Sequence, residues 1–283
     1  MKINQFIDHW IGSPPIVYYR LQKTMNKFFN QEEDASFLDF EEIIEGDPGL
    51  SARLLKIVNS PFYGLESQVK SIAHAISIIG AKPLADLALS TEVQNIFQGI
   101  EGDLINLDAF WKHSVACGLG ARLLGDKVGE KEVETLYLAG LLHDLGTLIF
   151  FKVAPDKSRT VLQGCREKQI SKFVLEKEVF GFNHAQVGAA LFKEWKLPAN
   201  LVIAVGYHHD PLGAKMHSKL AAIVHVSDWL AYELNLGTSG EPVSPDLNPK
   251  ALEWIGLPEA ELTTIQGQLG ESFNRFYQDF IYS

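Results

Sequence analysis

The chain has 283 residues, 46% of them hydrophobic and 21% charged, an ordinary globular composition long enough for one large or two modest domains with a sizeable core. Its 25 lysines and arginines against 35 acidic residues leave a net charge of −10. That balance argues against a dedicated binder of nucleic acid or of an anionic membrane, since both need a basic surface. It is compatible with a small phosphate ligand held by a metal or a local pocket.

The N-terminal stretch "MKINQFIDHWIGSPP" is amphipathic, contains Asp8 and has no continuous apolar core, so it does not read as a secretory signal. No run approaches the roughly 18 apolar residues of a membrane span, and the expectation is a soluble, cytoplasmic protein. From Phe37, "FLDFEEIIEGDPGLSARLLKIVNSPFYG" predicts two short helices broken at Gly46-Asp47-Pro48. Asp47 can cap the second, with Pro48 in its first turn, and Leu50, Leu54, Leu55 and Val58 follow at helical spacing. "SIAHAISIIGAKPLADLALSTEVQNIF" predicts two more, with Ile72, Ile76 and Ile79 on one face, a stop at Gly80 and a start at Pro83. A polar break over 98–109 suggests a division into an N-terminal helical subdomain, 1–105, and a helical core with C-terminal helices, 106–283. Within the latter, apolar helices are expected around 108–125, 132–152, 183–195, 199–209 and 217–235. A Pro/Gly/Ser-rich loop over 237–250 and final amphipathic helices complete the chain. No strand pair or repeat is visible, and the fold class is all-α. Cys117 and Cys165 match no zinc spacing and read as buried, inert thiols in a reducing compartment.

Five of the nine histidines lie on or at the ends of apolar helices beyond residue 105: His113, His143, His184, His208 and His209. Asp144 and Asp228 occupy equally apolar surroundings. The helical neighbours of His143 are Ala139, Gly140 and Gly146, a nearly bare face that another helix or a metal cluster could approach. His113 shares its face with Phe110, Ala116 and Cys117. Asn183 is a candidate N-cap with Gln186 three residues on, so His184 starts a helix. His208 and His209 end the apolar segment "NLVIAVGYHHDP". Burying these groups without a shared cation costs several kcal/mol per charge. Imidazole with carboxylate suits iron, manganese or zinc rather than calcium or magnesium. Seven candidate ligands exceed one tetrahedral site and suit two ions bridged by a carboxylate. His225 could act behind the ligands or simply pack in the core; His9, His74 and His217 read as structural or surface residues.

These residues resemble a known family. The order His113, then His143-Asp144, then Asp228 is similar to the H…HD…D signature of the HD phosphohydrolase superfamily, with His184 and His208-His209 resembling the extra ligands of its HD-GYP branch. "DPGLSARLLKIVNSPFYG", "SIAHAISIIG", "LYLAGLLHDLGTLIF", "VFGFNHAQVGAALFKEWKLP" and "VGYHHDP" together resemble the HDOD domain, a bacterial signalling relative of HD-GYP, over roughly residues 15–235. The resemblance implies an HD-like helical core with an N-terminal helical subdomain. It implies that His113, His143, Asp144 and Asp228 hold one divalent transition metal, with Asp144 bridging to a second held by His184, His208 and His209. Iron or manganese is favoured, and zinc or nickel is compatible. Three positions depart from the catalytic relatives: Thr147 replaces the lysine of H-D-x-G-K, the GYP segment after the paired histidines is replaced by "HHDPLGAKMHS", and Ala109 stands where an acid would supply a third-metal ligand.

Two functions follow. One is a signal-transduction output module whose metal-containing core stabilises a scaffold for a signalling protein or a nucleotide or phosphate ligand, with little or no turnover. In that case Val58 to Gly64, carrying Phe62 and Tyr63, is either a contact surface or a staple between subdomains. The other is a metal-dependent phosphohydrolase acting on a nucleotide-like substrate, with Asp144 as its bridging ligand. Thr147 is neutral, and Lys112 or Arg122 could then replace the missing lysine at the phosphate only if the geometry allows.

Overall fold

A computed structural model of the chain describes residues 3–8, 16–29, 37–60, 63–65, 67–97 and 99–281. In chain order its helices are α1 (Ile3–Asp8), α2 (Ile16–Phe29), α3 (Phe37–Glu45), α4 (Pro48–Val58), α5 (Ile72–Ile79), α6 (Ala81–Ile96), α7 (Leu107–Lys127), α8 (Val133–Leu142), α9 (Leu145–Val153), α10 (Pro155–Lys168), α11 (Lys172–Phe180), α12 (His184–Glu194), α13 (Ala199–Gly206), α14 (Ser218–Glu233), α15 (Pro249–Ile255) and α16 (Leu262–Ile281). Among the described residues there is no strand, and the fold is all-α.

The chain divides into two compact units, residues 12–98 with 271–283 and residues 1–11 with 99–270. The division differs from 1–105 and 106–283 in that each terminus joins the other half and the break falls at 98/99.

In the smaller unit the local signals act as the sequence suggests. Asp47 caps α4 by accepting from Leu50 N at 3.0 Å, with Pro48 as the first helical residue. Leu50, Leu54 and Val58 are fully buried. Asn59 closes the helix, donating to Leu55 O and Val69 O and accepting from Val69 N. Gly80 ends α5 and also precedes α6, so Pro83 lies within the first turn of α6 rather than starting it. Phe62 lies outside the described residues; Tyr63 is half-buried.

In the larger unit α7 packs on α8 and α14, α12 on α9 and α13, and α13 on α14. The expected helix over 132–152 is two helices separated by a turn at His143-Asp144. In an unbroken helix consecutive side chains diverge by about 100°; here the turn lets the two meet. Residues 133–153 are nonetheless apolar and long enough, taken together, to cross a membrane. That corrects the expectation of no such run, and 89% of its most apolar window is buried inside the protein. Similarly α13 stops at Gly206, placing His208 and His209 in the turn beyond it.

The bare faces flanking His143 admit helices. A Cβ on Gly140 would lie 2.4 Å from Cys117 O of α7, and one on Gly146 would lie 2.0 Å from His184 O of α12. Each glycine lets two backbones approach closely, and the approach brings the polar side chains of α7, α8–α9 and α12 to one place.

Candidate metal centre

All seven predicted residues converge within the larger unit, as two clusters. His113, His143 and Asp228 form the first together with Cys117; Asp144, His184, His208 and His209 form the second. In each, one candidate ligand atom per residue lies within 4.8 Å of every other. All are buried except His209, which is partly exposed.

In the first cluster His113 Nε2 lies 3.0 Å from Asp228 Oδ1, and His143 Nε2 lies 3.6 Å from the same oxygen. In the second, His184 Nε2 lies 2.9 Å from Asp144 Oδ1 and 2.8 Å from His209 Nε2, and His208 Nε2 is 3.8 Å from Asp144 Oδ1. Asp144 stands between them, with its other oxygen, Oδ2, 3.4 Å from His143 Nε2. One carboxylate oxygen thus faces each cluster.

The backbone fixes the orientation of the rings. His143 and His208 each present Nδ1 to a carbonyl one turn back, Gly140 O and Val205 O, both at 2.7 Å. With Nδ1 donating, the Nε2 lone pairs point inward. His143 Nε2, His208 Nε2 and Asp144 Oδ1 are buried with no hydrogen-bond partner. Lone pairs facing carboxylates in a dry interior require a cation, so the donor set fits a metal ion. Without one, a proton serves: burial opposes charge on His143, but Asp144 and Asp228 outweigh it and push its pKa up to about 10. His184 goes up to about 9, where Glu176 and Asp144 overcome burial. His208 is pushed down to about 3 by burial and by the charge on His143, and His209 lies well below its ordinary value by burial and His208. Burial raises Asp144 and Asp228, but the neighbouring histidines, and Lys172 at Asp144, hold both well below the usual carboxylate range.

Three residues that carry weight here are not among the candidate site residues of the sequence. Glu176 Oε2 accepts from both the backbone N (2.8 Å) and Nδ1 (2.6 Å) of His184, setting that ring's tautomer and turning Nε2 inward. Lys172, 1% exposed, donates its ammonium to Thr147 Oγ1 at 2.9 Å, Ser239 O at 3.1 Å and Ser239 Oγ at 3.4 Å. Cys117 lies 3.5 Å from His113 Nε2.

Of the candidate phosphate holders, Thr147 is buried against Lys172, Lys112 pairs with Asp108 at 3.1 Å and Arg122 with Glu134 at 3.3 Å. His225 supports the site from behind: its Nδ1 donates to His208 O at 2.8 Å and its Nε2 accepts from Asn248 N at 3.0 Å. His74 and His217 are exposed, and His9 lies outside the described residues. A cavity of about 490 Å³ opens beside the second cluster, lined by His209, Phe173, His225, Ser171, Val243 and Asn248 among others. Phe173 stacks on His209 with ring centroids 4.6 Å apart.

Solved structures share this architecture. An HDOD domain protein of Geobacter sulfurreducens superposes with a TM-score of 0.78 at 23% identity, covering 99% of this chain and 97% of that one. A protein of Shewanella amazonensis SB2B named "Putative phosphohydrolase" gives 0.75 at 21%, covering 98% and 97%. A "Putative signal transduction protein" of Marinobacter aquaeolei VT8 gives 0.72 at 20%, covering 95% and 58%. At these identities the likeness shows the fold alone. The chain spans 35% of the length of a curated Treponema pallidum (strain Nichols) relative, to which it is 27% identical over 181 residues. The HDOD domain family model matches residues 11–211, and the chain therefore belongs to the HDOD domain family.

Proposed function

We propose that the chain is a signal-transduction output module whose core holds two divalent transition-metal ions that stabilise a scaffold and do not drive turnover. His113, His143 and Asp228 hold one ion, His184, His208 and His209 the other, and Asp144 lies between them. Metal bound to the folded state alone stabilises it by mass action. The observation that carries this reading over hydrolysis is the fate of the phosphate-holding groups. Thr147 and Lys172 satisfy each other in a buried pocket, and Lys112 and Arg122 face carboxylates. Among the described residues, each of these candidate phosphate-holding groups is thus engaged with another side chain. The partner on this reading is a signalling protein, or a nucleotide or phosphate ligand bound without being cleaved.

One observation favours the alternative, a metal-dependent phosphohydrolase: the cavity at His209 gives a nucleotide-sized molecule a route to the second ion. Bound there, two ions would polarise a phosphate oxygen and lower the pKa of an attacking water. Elemental analysis of protein purified without chelator is expected to find close to two transition-metal ions per chain. Finding none, with His143→Ala leaving thermal stability unchanged, would sink both readings. A screen of phosphomonoesters and cyclic dinucleotides with manganese or iron then separates them. No turnover is expected, and turnover that Asp144→Ala abolishes would establish the hydrolase.

A further inference from the structure

We infer that Cys117 is a ligand of the first ion, making that site a mixed set of two imidazoles, a carboxylate and a thiolate; this rests on the dinuclear reading above. His113 and Cys117 are four residues apart on α7, one above the other on the face turned to Asp228 of α14. The thiol's contacts to the oxygens Asp228 Oδ1 and Ser227 O are long, both 4.0 Å, and it lies nearer, at 3.5 Å, to the candidate ligand nitrogen His113 Nε2. The other imidazole nitrogen of the cluster, His143 Nε2, is buried and has no partner.

The spacing fits coordination. Metal–nitrogen and metal–oxygen bonds near 2.0–2.2 Å and a metal–sulfur bond near 2.3 Å, arranged tetrahedrally, put neighbouring ligand atoms about 3.3–3.6 Å apart. The distances found are 3.0 Å for His113 to Asp228, 3.5 Å for His113 to Cys117, 3.6 Å for His143 to Asp228 and 4.0 Å for Cys117 to Asp228. They scatter around the expected edge. Shifts of a few tenths of an ångström would close the set. The second cluster holds nitrogen and oxygen donors only. The two sites therefore differ in softness: a thiolate selects zinc or iron over manganese, while the imidazole–carboxylate site accepts any of them. The structure assigns the first site to the softer ion and makes a mixed-metal pair the expected composition.

Cobalt(II) is the probe, because thiolate ligation gives a near-ultraviolet sulfur-to-metal charge-transfer band that nitrogen and oxygen ligands do not. Metal-free protein is titrated with cobalt while the visible ligand-field bands, which report bound cobalt whatever its ligands, are followed in parallel. The sulfur band should appear in the wild type. It should persist in Cys165→Ala, since Cys165 packs against Val161 and Leu175 away from the site, and vanish in Cys117→Ser. Cys117→Ser should also lower the preference of the chain for zinc over manganese by roughly 10–100-fold, the scale on which site changes act. Ligand-field bands without a sulfur band in the wild type would overturn the thiolate assignment and leave the dinuclear reading standing. No bound cobalt at all would overturn both. Because the wild-type spectrum and the Cys165→Ala control decide the matter, a Cys117→Ser protein that failed to fold would not rescue the assignment.

Discussion

Lys172 donates its ammonium to the hydroxyl of Thr147 at 2.9 Å, inside the protein, where the resemblance to catalytic relatives leads one to look for a lysine at 147 itself. The positive charge has not left the site; it arrives from α11 and is enclosed. Removing the acceptor leaves a buried ammonium one bond short, which costs on the order of 1–3 kcal/mol. Thr147→Val should therefore lower the urea midpoint of the metal-free chain without changing its denaturant slope, and an unchanged midpoint would show that the hydroxyl is not what holds Lys172.

The same relationship predicts non-additivity. Thr147→Lys places a second ammonium against the first and should destabilise strongly. Combined with Lys172→Met, the added lysine inherits the vacated position, so the double variant should be more stable than Thr147→Lys alone. The coupling expected between contacting groups is about 0.5–3 kcal/mol; additive effects would refute it.

Glu176→Gln keeps the shape of the group behind His184 and removes its charge. Glu176 holds both the backbone and Nδ1 of that residue. Loss of such support typically weakens metal binding about 10–100-fold. The loss should fall on one of the two ions, visible as a split in a calorimetric titration, while the other binds as before.

The pH dependence has opposite signs with and without metal. In the metal-free chain His143 and His184 are raised to about 10 and about 9 from 6.5. Groups raised on folding stabilise below their unfolded pKa, and that contribution is lost as pH rises through the folded value. Stability of the metal-free protein should thus fall between about pH 6.5 and 10. Metal needs the same nitrogens without protons, so the apparent affinity for each ion should rise within that window by up to about one power of ten per pH unit, one proton being displaced from His143 at the first site and one from His184 at the second. Chelator competition at several pH values measures the slope; a flat profile would mean that the two rings do not ligate.

The candidate ligands are legible in the sequence because polar groups stand out against apolar neighbours, whether on inward helix faces, as with His113, His184 and Asp228, or at helix ends, as with His143, Asp144, His208 and His209. The groups that support them do not stand out. Glu176 and Lys172 sit on α11, "KFVLEKEVF", whose charged and apolar residues are spread around the helix so that no face is marked as inward. Both read as surface residues until the tertiary fold buries them. Cys117 shares the face of His113 at a spacing of four, but a buried thiol behaves as a small hydrophobe, and only the distances to three other donors distinguish it from a core cysteine. The break between α8 and α9 is hidden for a similar reason: His143 and Asp144 carry no helix-stop chemistry, and the apolar pattern runs straight through them.

Gly146 and Gly267 both lie within helices, and replacing each with alanine should act in opposite directions. A Cβ on Gly146 would lie 2.0 Å from His184 O and 2.9 Å from Gly188 N, all backbone atoms that cannot rotate away. Gly146→Ala must push α9 from α12, separating Asp144 from His184. Overpacking of this kind costs typically about 1–3 kcal/mol, and here it should also remove the ion shared by those two residues. Gly267 in α16 is exposed, with nothing within 4 Å of an added Cβ. Gly267→Ala should stabilise by about 0.5–1 kcal/mol, because alanine loses less conformational freedom in a helix. Thermal melts with and without added metal compare the two. A Gly146→Ala protein that melts and binds metal like the wild type would show that close contact of α9 with α12 is not what assembles the site.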